Sequence, residues 1–337
     1  MGATVISNLI WFHAVFIFAN TCIVQANSFP LAWPTPNPSF AQGLGYHAYL
    51  QKTGPDKEFS SGAFGCVRNH GKKFHEGVDL FPIRSNSLGE AEDSIFAAMP
   101  GTVAYLCQSS NQSAYGKYIV LEHRKFSPVM YTLYAHLNEI SKDLRVNDSV
   151  DIAQAIGKMG NSASFRIPLE RSHLHFEIGL RLSDNFDKWY QRQLFKTKNM
   201  HHNFNGYNLV GIDPLLFYSV YQKTPFTSPS NYLKTLPVVT KVQVRHSTTP
   251  YLARSNPSMI LNPDSREPVN SWICSFGPFG FPLKFEKSSA KPAQQVRVLS
   301  YDEKNDSKFC RKLITRRNGM LIPSEQLRVY LELIFLD

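Results

Sequence analysis

Ser172-His173-Leu174-His175-Phe176-Glu177-Ile178 is the stretch on which the fold turns. Its apolar and polar residues alternate with period 2, the pattern of a β-strand that buries one face. Leu174, Phe176 and Ile178 share the face that looks into a core, and His173, His175 and Glu177 share the other. Two imidazoles side by side on a polar strand face are either surface histidines or part of a metal site, since neutral imidazole is a good zinc ligand.

Two patches further upstream bear on that choice. In Phe74-His75-Glu76-Gly77-Val78-Asp79-Leu80, His75 and Asp79 are four apart. Gly77 and β-branched Val78 favour a turn entering a strand over a helix. Such a turn can bring both side chains round to one ion, and a His with a carboxylate supplies the N and O donors that suit zinc. Leu133-Tyr134-Ala135-His136-Leu137 adds a further histidine. A catalytic zinc keeps three protein ligands and one open position. Of the five candidates His75, Asp79, His136, His173 and His175, Asp79 therefore supplies charge and two histidines complete the set. The remaining histidines are free to move protons.

In order and spacing, the three patches resemble the lysostaphin/LytM-type zinc metallopeptidases, the glycyl-glycine endopeptidase family with the duplicated hybrid motif fold. The shared marks are H-x-x-x-D at His75–Asp79, Y-x-H-L at Tyr134–Leu137 and H-x-H at His173–His175. Phe74, Gly77, Gly101-Thr-Val, the run from Tyr115-Gly116 to His123, Ile156-Gly157 and Gly160 extend the likeness over residues 71–180. The resemblance implies that His75, Asp79 and His175 are the zinc ligands, one ion per chain. It implies that His173 is the general base and that His136 stabilises the oxyanion or relays the proton. Two departures stand out. Residues 161–171, with Arg166, Pro168 and Arg171, intervene between the Gly-rich turn and H-x-H and are expected at the rim of the cleft. The turn at Val146-Asn147-Asp148-Ser149-Val150 lacks the family's glycine.

The chain of 337 residues has room for two domains. Strand-length β-branched and aromatic runs, such as 102–106, 117–122 and 130–135, read as a β-rich region over residues 43–222, and the resemblance implies that this region is a mainly β, antiparallel LytM-type peptidase domain. A Pro-rich lead-in at 27–42 is expected to be extended and only partly ordered. A Pro/Ser/Thr-rich linker at 223–232 precedes a smaller β-rich C-terminal domain at 233–337. Its last run, Leu327-Arg328-Val329-Tyr330-Leu331-Glu332-Leu333, is taken as a strand. Trp272, Phe276, Phe279, Phe281 and Phe285 are expected to form a small core, with a glycan-binding surface as the alternative. Asp213-Pro214 is expected as a turn. His123 is expected to be structural.

Residues 1–26 carry no Lys, Arg, Asp or Glu, and Val24-Gln25-Ala26 is a small-x-small end. This reads as a signal peptide cleaved after Ala26, so the chain is expected to be secreted or periplasmic, free of the membrane once cleaved. The missing Lys or Arg at the start leaves an uncleaved anchor as the alternative. Cys66, Cys107, Cys274 and Cys310 remain, an even count that suits disulfides in an exported chain. Pairs within each expected domain would be Cys66–Cys107 and Cys274–Cys310. The net charge of +10, from 36 basic and 26 acidic residues, favours anionic polymers such as cell-wall polysaccharides. No basic stripe interleaved with aromatics is present, which argues against nucleic acid. The residues themselves indicate metal-dependent hydrolysis; with the resemblance and the charge, the expected function is an exported zinc metalloendopeptidase acting on peptidoglycan cross-links or stem peptides. The alternative is a non-catalytic wall-binding or hydrolase-regulating module on the same fold.

Overall fold

The computed structural model describes residues 28–53, 57–306 and 310–336, so the expected signal peptide lies outside the described residues. The N-terminal region runs β1 (Gly65–Arg68), β2 (Lys73–His75), β3 (Val78–Leu80), β4 (Ser94–Phe96), β5 (Gly101–Cys107) and β6 (Tyr118–Glu122). It continues with β7 (Tyr131–Ala135), β8 (Glu139–Ile140), β9 (Ser149–Val150), β10 (Ala155–Lys158), β11 (Leu174–Arg181) and β12 (Leu209–Ile212). Seven of these form one antiparallel sheet in the order β12-β11-β7-β6-β5-β9, with β3 also paired to β11. The H-x-H strand is thus central. β11 meets β3 through His175 opposite Asp79 on one side, and β7 through His175 opposite Ala135 on the other. The expected alternation holds: Leu174, Phe176 and Ile178 are fully buried in the core.

Gly77 explains how β2 can turn into β3 against β11. A Cβ there would stand 2.3 Å from the Phe176 carbonyl oxygen, so only glycine lets the two backbones approach this closely. The turn thereby brings His75 and Asp79 to the same place from successive strands.

The C-terminal region contains β13 (Thr240–Val244), β14 (Ile260–Leu261), β15 (Ser271–Phe276), β16 (Pro282–Ser288) and β17 (Val296–Tyr301), ordered β14-β16-β15-β13-β17. A hairpin of β18 (Ile314–Arg317) and β19 (Met320–Pro323) follows. The fold is mainly β and its ladders are antiparallel, apart from the short parallel pair β14–β16. Trp272, Phe276, Phe281 and Phe285 are buried in the core, and Phe279 packs on Phe64 and Phe74 beside β2. These aromatics are core, not a glycan surface. The helices are α1 (Phe186–Arg192), α2 (Pro214–Lys223), α3 (Pro229–Leu233), α4 (Tyr251–Ser255) and α5 (Glu325–Ile334). Among the described residues, no helix is long and apolar enough to cross a membrane.

Several local expectations are corrected. The run 327–333 is helical, within α5. Among its buried residues, Leu327, Tyr330, Leu331 and Ile334 recur at helical spacing, and the Ser324 hydroxyl caps the start by accepting from the Leu327 N–H. Asp213-Pro214 opens α2: the Asp213 carboxylate accepts from the N–H groups of Leu215 and Leu216, with proline at the first helical position. The lead-in is pinned. Phe29 is wholly buried, its N–H bonds to Phe226 O, and Trp33 stacks on Phe40 at 4.6 Å. Residues 223–232 hold the start of α3 and bury Phe226 and Tyr232, so that the two regions share one continuous hydrophobic core.

The disulfide also departs from expectation. Cys66 on β1 pairs with Cys310, 244 residues away, and Cys107 and Cys274 are buried free thiols. Nearness in sequence misled here. Cys107 lies in a small cluster with Tyr118 and Leu133, and Cys274 sits in the middle of the C-terminal sheet. A bond that closes so long a loop constrains the unfolded chain strongly. The Cys310→Ser variant is expected to lose about 2–5 kcal/mol of stability, read as a lower denaturant midpoint.

Candidate metal centre

Three donor atoms converge at the junction of β2, β3 and β11. His75 Nε2 lies 3.0 Å from His175 Nδ1 and 3.1 Å from Asp79 Oδ1, and His175 Nδ1 lies 3.0 Å from Asp79 Oδ1. All three residues are buried. Ligands on a tetrahedral zinc stand about 3.4 Å apart, so this triangle is within a few tenths of an ångström of what the ion needs.

The far side of each ring is fixed, which decides the nitrogen that faces the centre. His75 Nδ1–H donates to Ala63 O at 2.7 Å, leaving Nε2 inward. His175 is turned the other way, because Nε2–H donates to Glu177 Oε1 at 2.9 Å. Glu177 is itself held by Tyr115 OH on Oε1 at 2.6 Å and Tyr131 OH on Oε2 at 2.8 Å. A ligating histidine backed by a carboxylate is the usual outer support of a metal site. Asp79 gives its other oxygen, Oδ2, to the Arg68 guanidinium.

Beside the triangle stand two more histidines. His173 Nδ1–H donates to Arg171 O at 2.7 Å, and its Nε2 is 3.7 Å from Asp79 Oδ2. His136 Nδ1–H donates to Ser162 O at 2.8 Å, and its ring centroid is 4.7 Å from that of His173. His136 has φ +60°, a left-handed conformation that costs energy in a residue other than glycine. Gly116 lets the Ser162 carbonyl sit where it does: a Cβ there would be 2.2 Å from that oxygen. All five residues of the expected constellation are thus brought together. His123 is buried and engaged on both ring nitrogens, by Pro100 O and the Thr132 hydroxyl.

Electrostatics separate the roles. Burial pushes the Asp79 carboxyl up, but His75, His173 and Arg68 together hold it well below the usual carboxylate range. Burial lowers His173 and His136, so both are neutral near pH 7; for His136, His173 and His175 add to the effect. His175 is the exception. Burial opposes its charge, yet hydrogen bonds to Asp79 and Glu177 raise it to about 9 in the metal-free chain. Below that value a proton sits on Nδ1, the nitrogen that faces His75 and Asp79. Zinc affinity is therefore expected to rise about tenfold per pH unit from neutrality to about 9 and then level off. Competition titrations against a chelator at stepped pH check this.

Arg68, Tyr115, Tyr131 and Glu177 were not foreseen as parts of the centre. Strand alternation does put Glu177 on the face of His175, which was the available signal. Tyr115 opens the run to His123 that carries part of the resemblance, whereas Tyr131 and Arg68 arrive from other strands and nothing local in sequence marks them.

Fold and donor set together define an antiparallel β domain with a mononuclear site of zinc type. Residues 73–187, about a third of the chain, match the family model described as Peptidase family M23. M23 peptidases are zinc-dependent, and the His-Asp-His donor set fits that metal. Among solved structures, the chain is similar to the catalytic domain of the antimicrobial peptidase lysostaphin from Staphylococcus simulans. Identity is 22%, over 52% of this chain and 95% of that one, with a TM-score of 0.30. A zinc containing peptidase from Vibrio cholerae is 24% identical over 39% of this chain and 33% of its own, with a TM-score of 0.27. The catalytic domain of the prophage-encoded M23 protein EnpA from Enterococcus faecalis is 19% identical over 39% of this chain and 79% of its own, with a TM-score of 0.27. The match thus spans about a third of the Vibrio cholerae protein. No curated protein matches the chain.

Proposed function

We propose that the protein is an exported zinc metalloendopeptidase whose ligands are His75, Asp79 and His175, and whose substrate is the peptide part of peptidoglycan. The observation that carries the proposal is the buried triangle of two imidazole nitrogens and one carboxylate oxygen, flanked by two histidines outside it. Zinc held there supplies Lewis acidity, acidifying water and polarising a peptide carbonyl. Arg68 and Glu177 orient Asp79 and His175, so that Oδ1 and Nδ1 are presented without rearrangement.

His173 is the general base. Its Nδ1 proton is committed to Arg171 O, so the neutral ring presents an Nε2 lone pair that can take the proton of an attacking water. Returning that proton to the amine nitrogen completes cleavage. His136 is fixed in the same sense by Ser162 O and also presents a lone pair. It is thus suited to relaying a proton, and it could donate to an oxyanion only after gaining one. In this reading residues 43–222 carry the chemistry, and residues 233–337 buttress the β1 side of the cleft through the disulfide and Phe279. Export is supported by that disulfide, since such bonds persist in oxidising compartments.

The test measures zinc content together with release from purified peptidoglycan, with casein as a second substrate. The wild type is expected to hold about one zinc per chain and to release peptidoglycan fragments. His75→Ala and His175→Ala are expected to lose both metal and release. Cleavage of casein alone would move the substrate to proteins, and a reconstituted wild type without zinc would sink the enzyme reading.

A further inference from the structure

The cleft over the metal centre has a volume near 330 Å³, and the side chains that line it are charged in one sense. Arg68, Lys73, Arg166 and Arg171 lie around it; Asp79, at its floor, is the one acidic lining residue among those described. Asp79 is already matched by Arg68. Lys73 and Arg166 are exposed, and their side chains make no hydrogen bond or ion pair among the described residues. The cations thus exceed what the cleft itself neutralises, before any metal charge is added.

Arg166 is placed by structure rather than by chance on a loose loop. Residues 161–171 are tied to the centre at both ends: Ser162 O holds His136, and Arg171 O holds His173. Asn161 Nδ2–H donates to Ile167 O at 2.7 Å and braces the loop across its middle. Its crown projects Phe165, 58% exposed, and Arg166 into the mouth of the cleft. Lys73 faces it from the start of β2, two residues before His75.

From this we infer that the cleft selects peptides carrying a carboxylate close to the scissile bond, with Arg166 and Lys73 as the residues that read it. The inference rests on the peptidase reading of the same cleft and narrows its substrate class to acidic peptides. A planar guanidinium on the rim pairs with a carboxylate through two parallel hydrogen bonds, and Lys73 adds a second point charge. Phe165 offers an apolar surface for the stem of the acidic side chain. A concave site with Asp79 and His175 at its floor suits a thin peptide better than an extended polyanion.

The test uses the zinc-loaded full-length protein and two labelled octapeptides of alanine and glycine. One carries two glutamates and its twin carries glutamines. Fluorescence anisotropy reads binding, and chromatography of the same samples reads cleavage. The glutamate peptide is expected to bind about fivefold more tightly at low ionic strength, with the ratio shrinking in high salt. Arg166→Gln and Lys73→Gln should each reduce the ratio, and Arg166→Glu should reverse it. Unchanged melting temperatures will show that these surface variants fold. Equal binding of the twins, or a preference that survives all three variants, overturns the inference. So does equal competition from short polyphosphate, which would mark a general polyanion surface. Selective binding with neither twin cleaved would support the acidic preference while counting against the peptidase reading, so the two fail separately.

Discussion

Replacing His173 with alanine is expected to leave zinc in place and to lower kcat/KM for peptide hydrolysis by about 10²–10⁴-fold, the usual weight of a positioned general base. The retention of metal follows from geometry. His173 Nε2 stands 3.7 Å from Asp79 Oδ2, the oxygen facing Arg68, and is outside the triangle formed by His75, Asp79 Oδ1 and His175. The loss of rate follows from tautomer. With Nδ1–H held by Arg171 O, the side chain has one lone pair, and it is the one beside the centre. Burial keeps that imidazole neutral, so it is ready to accept a proton at pH 7. Metal analysis and steady-state kinetics on the same preparation check the prediction. Joint loss of zinc and activity would instead make His173 a ligand.

Asp79→Asn is expected to abolish zinc binding and hydrolysis and, independently of metal, to destabilise the fold by about 3–5 kcal/mol. Asp79 is 1% exposed and serves four partners: Arg68, His75, His173 and His175. Asparagine keeps the size but removes the charge that offsets the desolvation of Arg68 and of protonated His175. Denaturant unfolding of the metal-free variant against the metal-free wild type isolates this contribution from that of zinc. A variant as stable as the wild type would show that the pairs contribute little beyond positioning.

The legible part of this protein was its local periodicity. The alternation in residues 172–178 fixed both the strand and the shared face of His173 and His175, because side-chain direction in a strand depends only on parity. Gly77 marked the turn that brings His75 and Asp79 together. What escaped were the relations between distant segments. Cys66 and Cys310 meet because β1 lies against the C-terminal region, which no spacing rule encodes. Arg68, Tyr115 and Tyr131 reach Asp79 and Glu177 across strands that are separate in sequence. Residues 327–333 show where periodicity is ambiguous: Leu327, Val329, Leu331 and Leu333 fit period 2, while Leu327, Tyr330, Leu331 and Ile334 fit a helix. Ser324 decides between them, since a hydroxyl at that position caps a helix and gives a strand nothing. Likewise Phe29 and Trp33 outweigh the prolines around them, because burying aromatic surface opposes the looseness that proline-rich composition suggests.

The bond between Cys66 and Cys310 makes the intervening chain a closed ring. A single cut by another protease anywhere within it opens the ring without releasing a fragment, so a nicked molecule keeps its halves at hand and its core continuous. A chain nicked inside the ring thus stays covalently joined for as long as that one bond is oxidised.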